Sequence, residues 1–197
     1  MGVSKKQAIE NKRAIVTAAE KLFRERGVAD VGLSELTKAA GFTQGGFYNH
    51  FESKDDLVAA VMEKAMEGGA DLLTTGLEAS KREEVDPIKR HIEWYLSHDH
   101  LTSIEMGCPL TAFVGDVRRL GEEARRSYAD GLRWNVDQLA NLIDSENPQE
   151  KRNKAIALFT QMVGALALSR AVVEADPALA DEILEQGRQH LLQTISS

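Results

Sequence analysis

The sequence predicts an all-α protein, and three observations carry that prediction. Apolar residues recur at three- and four-residue spacing, with no alternating strand pattern anywhere in the 197 residues. Four prolines and fifteen glycines are few for an all-β chain with its many turns. Each proline also follows a residue able to cap a helix, in Asp86-Pro87, Cys108-Pro109, Asn147-Pro148 and Asp176-Pro177. A proline at the first helical position loses no hydrogen bond.

The elements follow in order. Ile15, Ala18, Ala19, Leu22 and Phe23 recur at helical spacing and stop at Arg24-Glu25-Arg26-Gly27, where a basic last turn and a glycine end a helix spanning 5–26. Gly32 as a permissive N-cap, Glu35 in a first turn and Gly41 as a stop give a short helix at 33–40. Thr43 caps a third at 44–50, and Ser53-Lys54-Asp55-Asp56 reads as a capping box opening a fourth. Prolines and apolar spacing then place helices near 54–79, 87–98, 109–119, 121–144, 148–174 and 177–194, about nine in all.

Composition narrows the class. An apolar content of 43% is enough for a buried core, which excludes disorder. The longest uncharged apolar stretch, 155–169, is fifteen residues long and includes Thr160 and Gln161, so no membrane span is expected. The first residues, Met1-Gly2-Val3-Ser4-Lys5-Lys6, lack the apolar stretch of a secretory signal, and one cysteine cannot close an internal disulfide. A cytoplasmic location is expected. The net charge of −7 is unevenly spread: residues 1–60 hold nine Lys and Arg against eight Asp and Glu, whereas the remaining 137 hold fifteen against twenty-three. Lys5, Lys6, Lys12 and Arg13 face only Glu10, so a locally basic arm begins an otherwise acidic chain.

Two helices joined by a short glycine-containing turn form a helix-turn-helix, whose second helix enters the DNA major groove. Gly41 to His50 fits that plan. Gln44, Gly45 and Gly46 fall in the first turn, nearest base edges and phosphates, and Gln44 suits an adenine edge. Tyr48, Asn49, His50 and Lys54 supply donors for phosphate oxygens, while Phe47 and Phe51 read at least partly as core. The run from Leu33 through Thr43-Gln44-Gly45-Gly46-Phe47-Tyr48-Asn49-His50-Phe51 to Leu57 closely resembles the signature of TetR-type transcriptional regulators, as do Leu22-Phe23-Arg24-Glu25-Arg26-Gly27 and the overall helix layout. The resemblance implies a three-helix DNA-binding domain at 1–53 and an effector-binding and dimerisation domain at 54–197. It also implies a homodimer that represses transcription from a palindromic double-stranded DNA operator and is released by a small-molecule effector. By position, Tyr48, His50 and Lys54 match the family's phosphate contacts, and Thr43, Gln44 and Gly46 match positions near bases or phosphate. Gly46 departs from the commoner serine or threonine.

The remainder is less specific. From Ala155 to Val173, fourteen of nineteen residues are apolar and lie on every side of the helix, so a second copy of the chain is the simplest partner, through Phe159, Met162 and Leu166, with a central helix of a monomeric core as the alternative. Trp94, Met106, Phe113 and Trp134 are candidates to line an effector cavity, although packing is the alternative for each. His91 and His98 lack metal-ligand spacing and no Cys pair accompanies them, so neither a metal nor a cofactor is expected. Cys108, at the N-cap before Pro109, sits where unpaired N–H groups favour a thiolate. A Gly-Cys pair here resembles a TetR subgroup that senses electrophiles or oxidants through that cysteine; a buried cysteine without chemistry is the alternative. Two other functions are weighed: an enzyme with Cys108 as nucleophile and His91, His98 or His100 as base, and a ligand-independent DNA-binding or interaction module. No oxyanion motif or phosphate loop supports an enzyme, which is therefore not expected.

Overall fold

A computed structural model describes residues 4–195. Among them are ten α-helices and no strand: α1 (Lys5–Arg26), α2 (Leu33–Ala39), α3 (Gln44–Phe47), α4 (Lys54–Arg82), α5 (Pro87–Tyr95), α6 (His98–Thr102), α7 (Pro109–Ala112), α8 (Glu122–Leu142), α9 (Pro148–Val172) and α10 (Pro177–Ile195). The all-α expectation holds. The caps are those the sequence advertises. Asp86 and Asn147 accept from the N–H groups two and three residues on, Asp176 Oδ1 accepts from Leu179 N, and Ser53 Oγ accepts from Asp56 N. The α1 and α2 ends turn at Gly27 (φ 81°) and Gly41 (φ 76°), left-handed backbone that a side chain would resist.

Three elements differ from expectation, each for a local reason. The segment expected at 87–98 breaks at Leu96 because Ser97, in extended backbone, caps α6 through His100 N. The helix expected at 109–119 is a single turn, α7, followed by a 3-10 turn at Val117–Arg119. Helix α3 ends at Phe47, and 48–50 continue as tighter turns, with Asn49 N and His50 N donating three residues back.

The chain divides into two compact units, one made of residues up to Glu67 with Phe113–Ala129, the other of Gly68–Ala112 with 130 onward. The first is built on Ile15, Ala19 and Phe23 of α1, Leu36 of α2, Phe47, Phe51, Leu57 and Phe113, all buried. The second packs α9 on α10, α7, α6 and α5. Its core takes Ile92, Tyr95, Leu101, Leu110, Leu158, Leu184 and Leu191.

That core also takes the three residues expected at the dimer contact. Phe159 (2% exposed), Met162 (0%) and Leu166 (0%) are buried within one protomer, Phe159 edge-on to Tyr95, so they cannot be the surface offered to a partner. The apolar residues of α9 that stay exposed lie elsewhere, at Ile156 (41%) and Leu168 (60%), with Ala157 and Ala171. Helix α9 is also long and apolar enough to cross a membrane by length and composition, which the fifteen-residue count did not anticipate because its apolar character resumes after Arg170.

Candidate functional site

Two sites emerge, one in each unit. In the first, Thr43 takes extended backbone and its Oγ1 accepts from Gly46 N at 3.1 Å, which starts α3. Phe47 and Phe51, stacked at 5.4 Å, anchor the turn from beneath. Their burial leaves Thr43, Gln44, Gly45, Tyr48 and Asn49 exposed, and His50 half-buried with its ring edge toward Phe42. A Cβ built on Gly45 meets no atom within 4 Å, and one on Gly46 meets Thr43 Oγ1 only at 3.4 Å. Nothing inside the chain therefore requires glycine at 45. Lys54 behaves differently from the other expected phosphate ligands. Its Nζ donates to Val28 O at 2.7 Å and lies 5.8 Å above the Phe23 ring, so one of its three N–H donors already holds the loop after α1. The same loop is held by Asp116, whose Oδ2 accepts from Val28 N at 3.4 Å.

In the second unit, Cys108 is buried (8% exposed) and its surroundings are specific. His100 Nδ1 faces Tyr95 O at 2.8 Å, and Nε2 accepts from Cys108 N at 2.9 Å. A backbone N–H can only donate, so Nε2 is unprotonated and Nδ1 carries the single ring proton. Burial agrees, pulling His100 down to about 4, with the nearby Arg170 guanidinium adding to the effect. Both ring nitrogens are thus engaged, and His100 is not placed to take the Cys108 proton as a general base. Tyr95 Oη shares a 2.7 Å hydrogen bond with Thr111 Oγ1. Burial first, and then the adjacent Cys108 thiol, raise the Tyr95 hydroxyl well above its ordinary value, so it stays protonated. Arg170 closes the cluster, donating to the backbone oxygens of Leu101 and His100.

Gly107 explains why the cluster can be so tight. A Cβ there would lie 2.8 Å from both Arg170 Nη2 and His100 Nε2. The imidazole can reach the Cys108 N–H only past a bare backbone. The sequence offers His100 only as one of three possible bases for the cysteine, and nothing in it marks Tyr95, Thr111 or Arg170 as neighbours of Cys108. The available signal was a buried-type Gly-Cys-Pro run eight residues after a histidine, and spacing alone does not reveal that contact.

The residues named for an aromatic cavity are divided between the two units. Met106 is 79% exposed. Phe113 is buried in the first unit, where the Arg24 guanidinium lies 5.6 Å above its ring, and Trp134 is half-buried on α8. Trp94 does join the cysteine's surroundings, stacked on His100 with ring centroids 4.4 Å apart. Among the described residues, no group of three or more His, Cys, Asp or Glu could hold a metal ion.

Residues 15–61 match the family described as bacterial regulatory proteins, tetR family. The HTH-type transcriptional regulator TtgR of Pseudomonas putida is 35% identical over 85 residues, 43% of this chain and 39% of TtgR. The HTH-type transcriptional repressor BepR of Brucella suis is 34% identical over 156 residues, 79% of this chain and 66% of BepR. The chain thus spans two thirds or less of the length of either relative. The Escherichia coli HTH-type transcriptional repressor NemR is 24% identical over 181 residues, 87% of this chain and 91% of NemR. The crystal structure of its reduced form superposes with a TM-score of 0.74 over 92% of this chain and 95% of that one, at 23% identity. The glycine-opened α3, its aromatic anchors and these matches lead to one conclusion: the chain belongs to the TetR family of bacterial regulatory proteins.

Proposed function

We propose that the chain is a transcriptional repressor that binds a palindromic operator as a homodimer and is released when its second domain meets an effector. The observation that carries this reading is the surface of α3. Two adjacent glycines in one short helix cost roughly 1 kcal/mol each relative to alanine. The empty space around Gly45 gives that cost no internal return. Close approach to another backbone accounts for it, and the exposed Gln44, Tyr48 and Asn49 surround the approach with donors. In this reading residues 1–53, with Lys54 at the start of α4, contact DNA and 54–197 bind effector and partner copy, in the cytoplasm, with no membrane, metal or cofactor. The partner copy docks on the face of α9 marked by Ile156, Ala157, Leu168 and Ala171, where small residues admit a second helix closely.

Cys108 is the sensing group. Addition of its sulfur to the β-carbon of a quinone or enal forms one S–C bond as the acceptor's C=C π bond opens and the S–H bond breaks, and the thiol proton ends on the acceptor. The adduct cannot fit a cluster in which even a methyl at position 107 collides with two side chains. The segment that follows reaches Phe113 and Asp116 within eight residues, and Asp116 holds Val28 N in the DNA-binding unit. Helix α4 is a second covalent route, continuous from Lys54 to Arg82. Two reading heads must meet grooves about 34–36 Å apart, so a small pivot weakens binding.

The test is selection of DNA fragments by the purified protein. A retained palindrome, with Gln44→Ala changing base preference at one position per half-site, supports the reading. Fragments of no common sequence contradict it.

A further inference from the structure

The unit that holds Cys108 also holds a cavity of about 260 Å³ between α4 and α5, with Leu72, Thr75, Gly76, Leu77, His91 and Trp94 in its lining. Its walls are apolar apart from the solvent-exposed Thr75 and a few polar side chains deeper in. Ser80 donates to Gly76 O, and Arg90 is paired with Glu83. His91 is the exception, since its Nε2 is buried with no hydrogen-bond partner, a condition native interiors rarely leave unanswered. Burial, and secondarily His100, lower its pKa to about 4, so at neutral pH it is an uncharged ring. The cavity therefore asks for an apolar body with one uncharged polar group. A phenolic hydroxyl both donates and accepts, and so satisfies the imidazole in either tautomer.

The same ring begins a stack that ends at the cysteine. His91 lies on Trp94 (centroids 5.9 Å, planes 27° apart), Trp94 lies on His100 (4.4 Å, 20°), and His100 grips Cys108 N at 2.9 Å. We propose that this cavity binds a small neutral aromatic alcohol, its ring against Trp94 and its hydroxyl on His91, and that occupancy slows the reaction of Cys108 by holding the stack closed. The proposal deepens the effector reading above and rests on it for its regulatory meaning.

The test uses the full chain, with p-cresol and its isostere p-xylene as probes and no DNA. Calorimetry should find one p-cresol site per chain, at least tenfold tighter than for p-xylene. His91→Phe should erase that preference. Gly76→Leu should abolish binding, because Gly76 belongs to the cavity lining and its Cβ meets no atom within 4 Å, which leaves an added side chain free to fill the cavity. Leucine is also the better helix former, so the fold is not at risk. Saturating p-cresol should slow alkylation of Cys108 by N-ethylmaleimide at least threefold in wild type and not in Gly76→Leu. No binding to wild type at millimolar concentration, binding unaltered by Gly76→Leu, or an unchanged alkylation rate at saturation would each overturn the proposal. Operator release by thiol reagents is a separate measurement, so failure here leaves that reading standing.

Discussion

A methyl group at position 107 would lie 2.8 Å from two side chains that hold the cysteine in place. Gly107→Ala is therefore expected to destabilise the protein by about 1–3 kcal/mol, the usual cost of overpacking, and to raise the alkylation rate of Cys108. Thermal melts and thiol kinetics check both. The two buried imidazoles give a second residue-scale prediction. His91 and His100 titrate near 4 in the folded chain, against an ordinary value of 6.5. Between those values the unfolded chain binds protons that the folded chain refuses, so their contribution is fully present above pH 6.5 and lost as pH falls toward 4. The slope is at most roughly 1.4 kcal/mol per pH unit for each ring. His91→Gln should flatten the decline of Tm between pH 6.5 and 5, and an unchanged slope would contradict the assignment. At this scale little was legible in the sequence. Spacing shows that His91 and His98 do not form a metal pair, but the contact between His100 and the Cys108 backbone is made by α6 folding back after Leu96, and periodicity carries no trace of it.

Elements were far more legible, because helix signals are local. All four prolines stand as expected relative to helix starts, and α1 ends at Gly27 as its basic last turn indicates. What failed was length where tertiary contacts intervene, as at α7, which stops at Ala112 just before the chain enters the other unit. Helix α3 invites a trade-off experiment. Gly45→Ala should stabilise the free protein by about 0.5–1 kcal/mol through helix propensity, since its Cβ meets no neighbour, while weakening operator affinity. Stabilisation without loss of affinity would remove the argument for close approach. Lys54→Ala should lower Tm, because the lysine holds Val28 O, and on the proposed reading should weaken binding to all sequences alike.

At the scale of the whole molecule, the acidic balance lies almost entirely beyond residue 60, so DNA affinity rests on a small basic share of the chain and should fall steeply with added salt. Dimer formation separates two faces of one helix. Helix α9 is apolar on all sides, and sequence cannot say which side faces its own core. Leu168→Glu, at an exposed position, should yield a folded monomer in sedimentation, whereas Met162→Glu should unfold the protein. A Leu168→Glu protein that remains a dimer would move the interface elsewhere. The most direct test of the account joins the cysteine to the DNA. Operator binding is measured for wild type and Cys108→Ser, each before and after treatment with a quinone. Release of wild type and retention of the serine variant are expected. Retention of both, or equal release of both, would contradict a sensing role for Cys108.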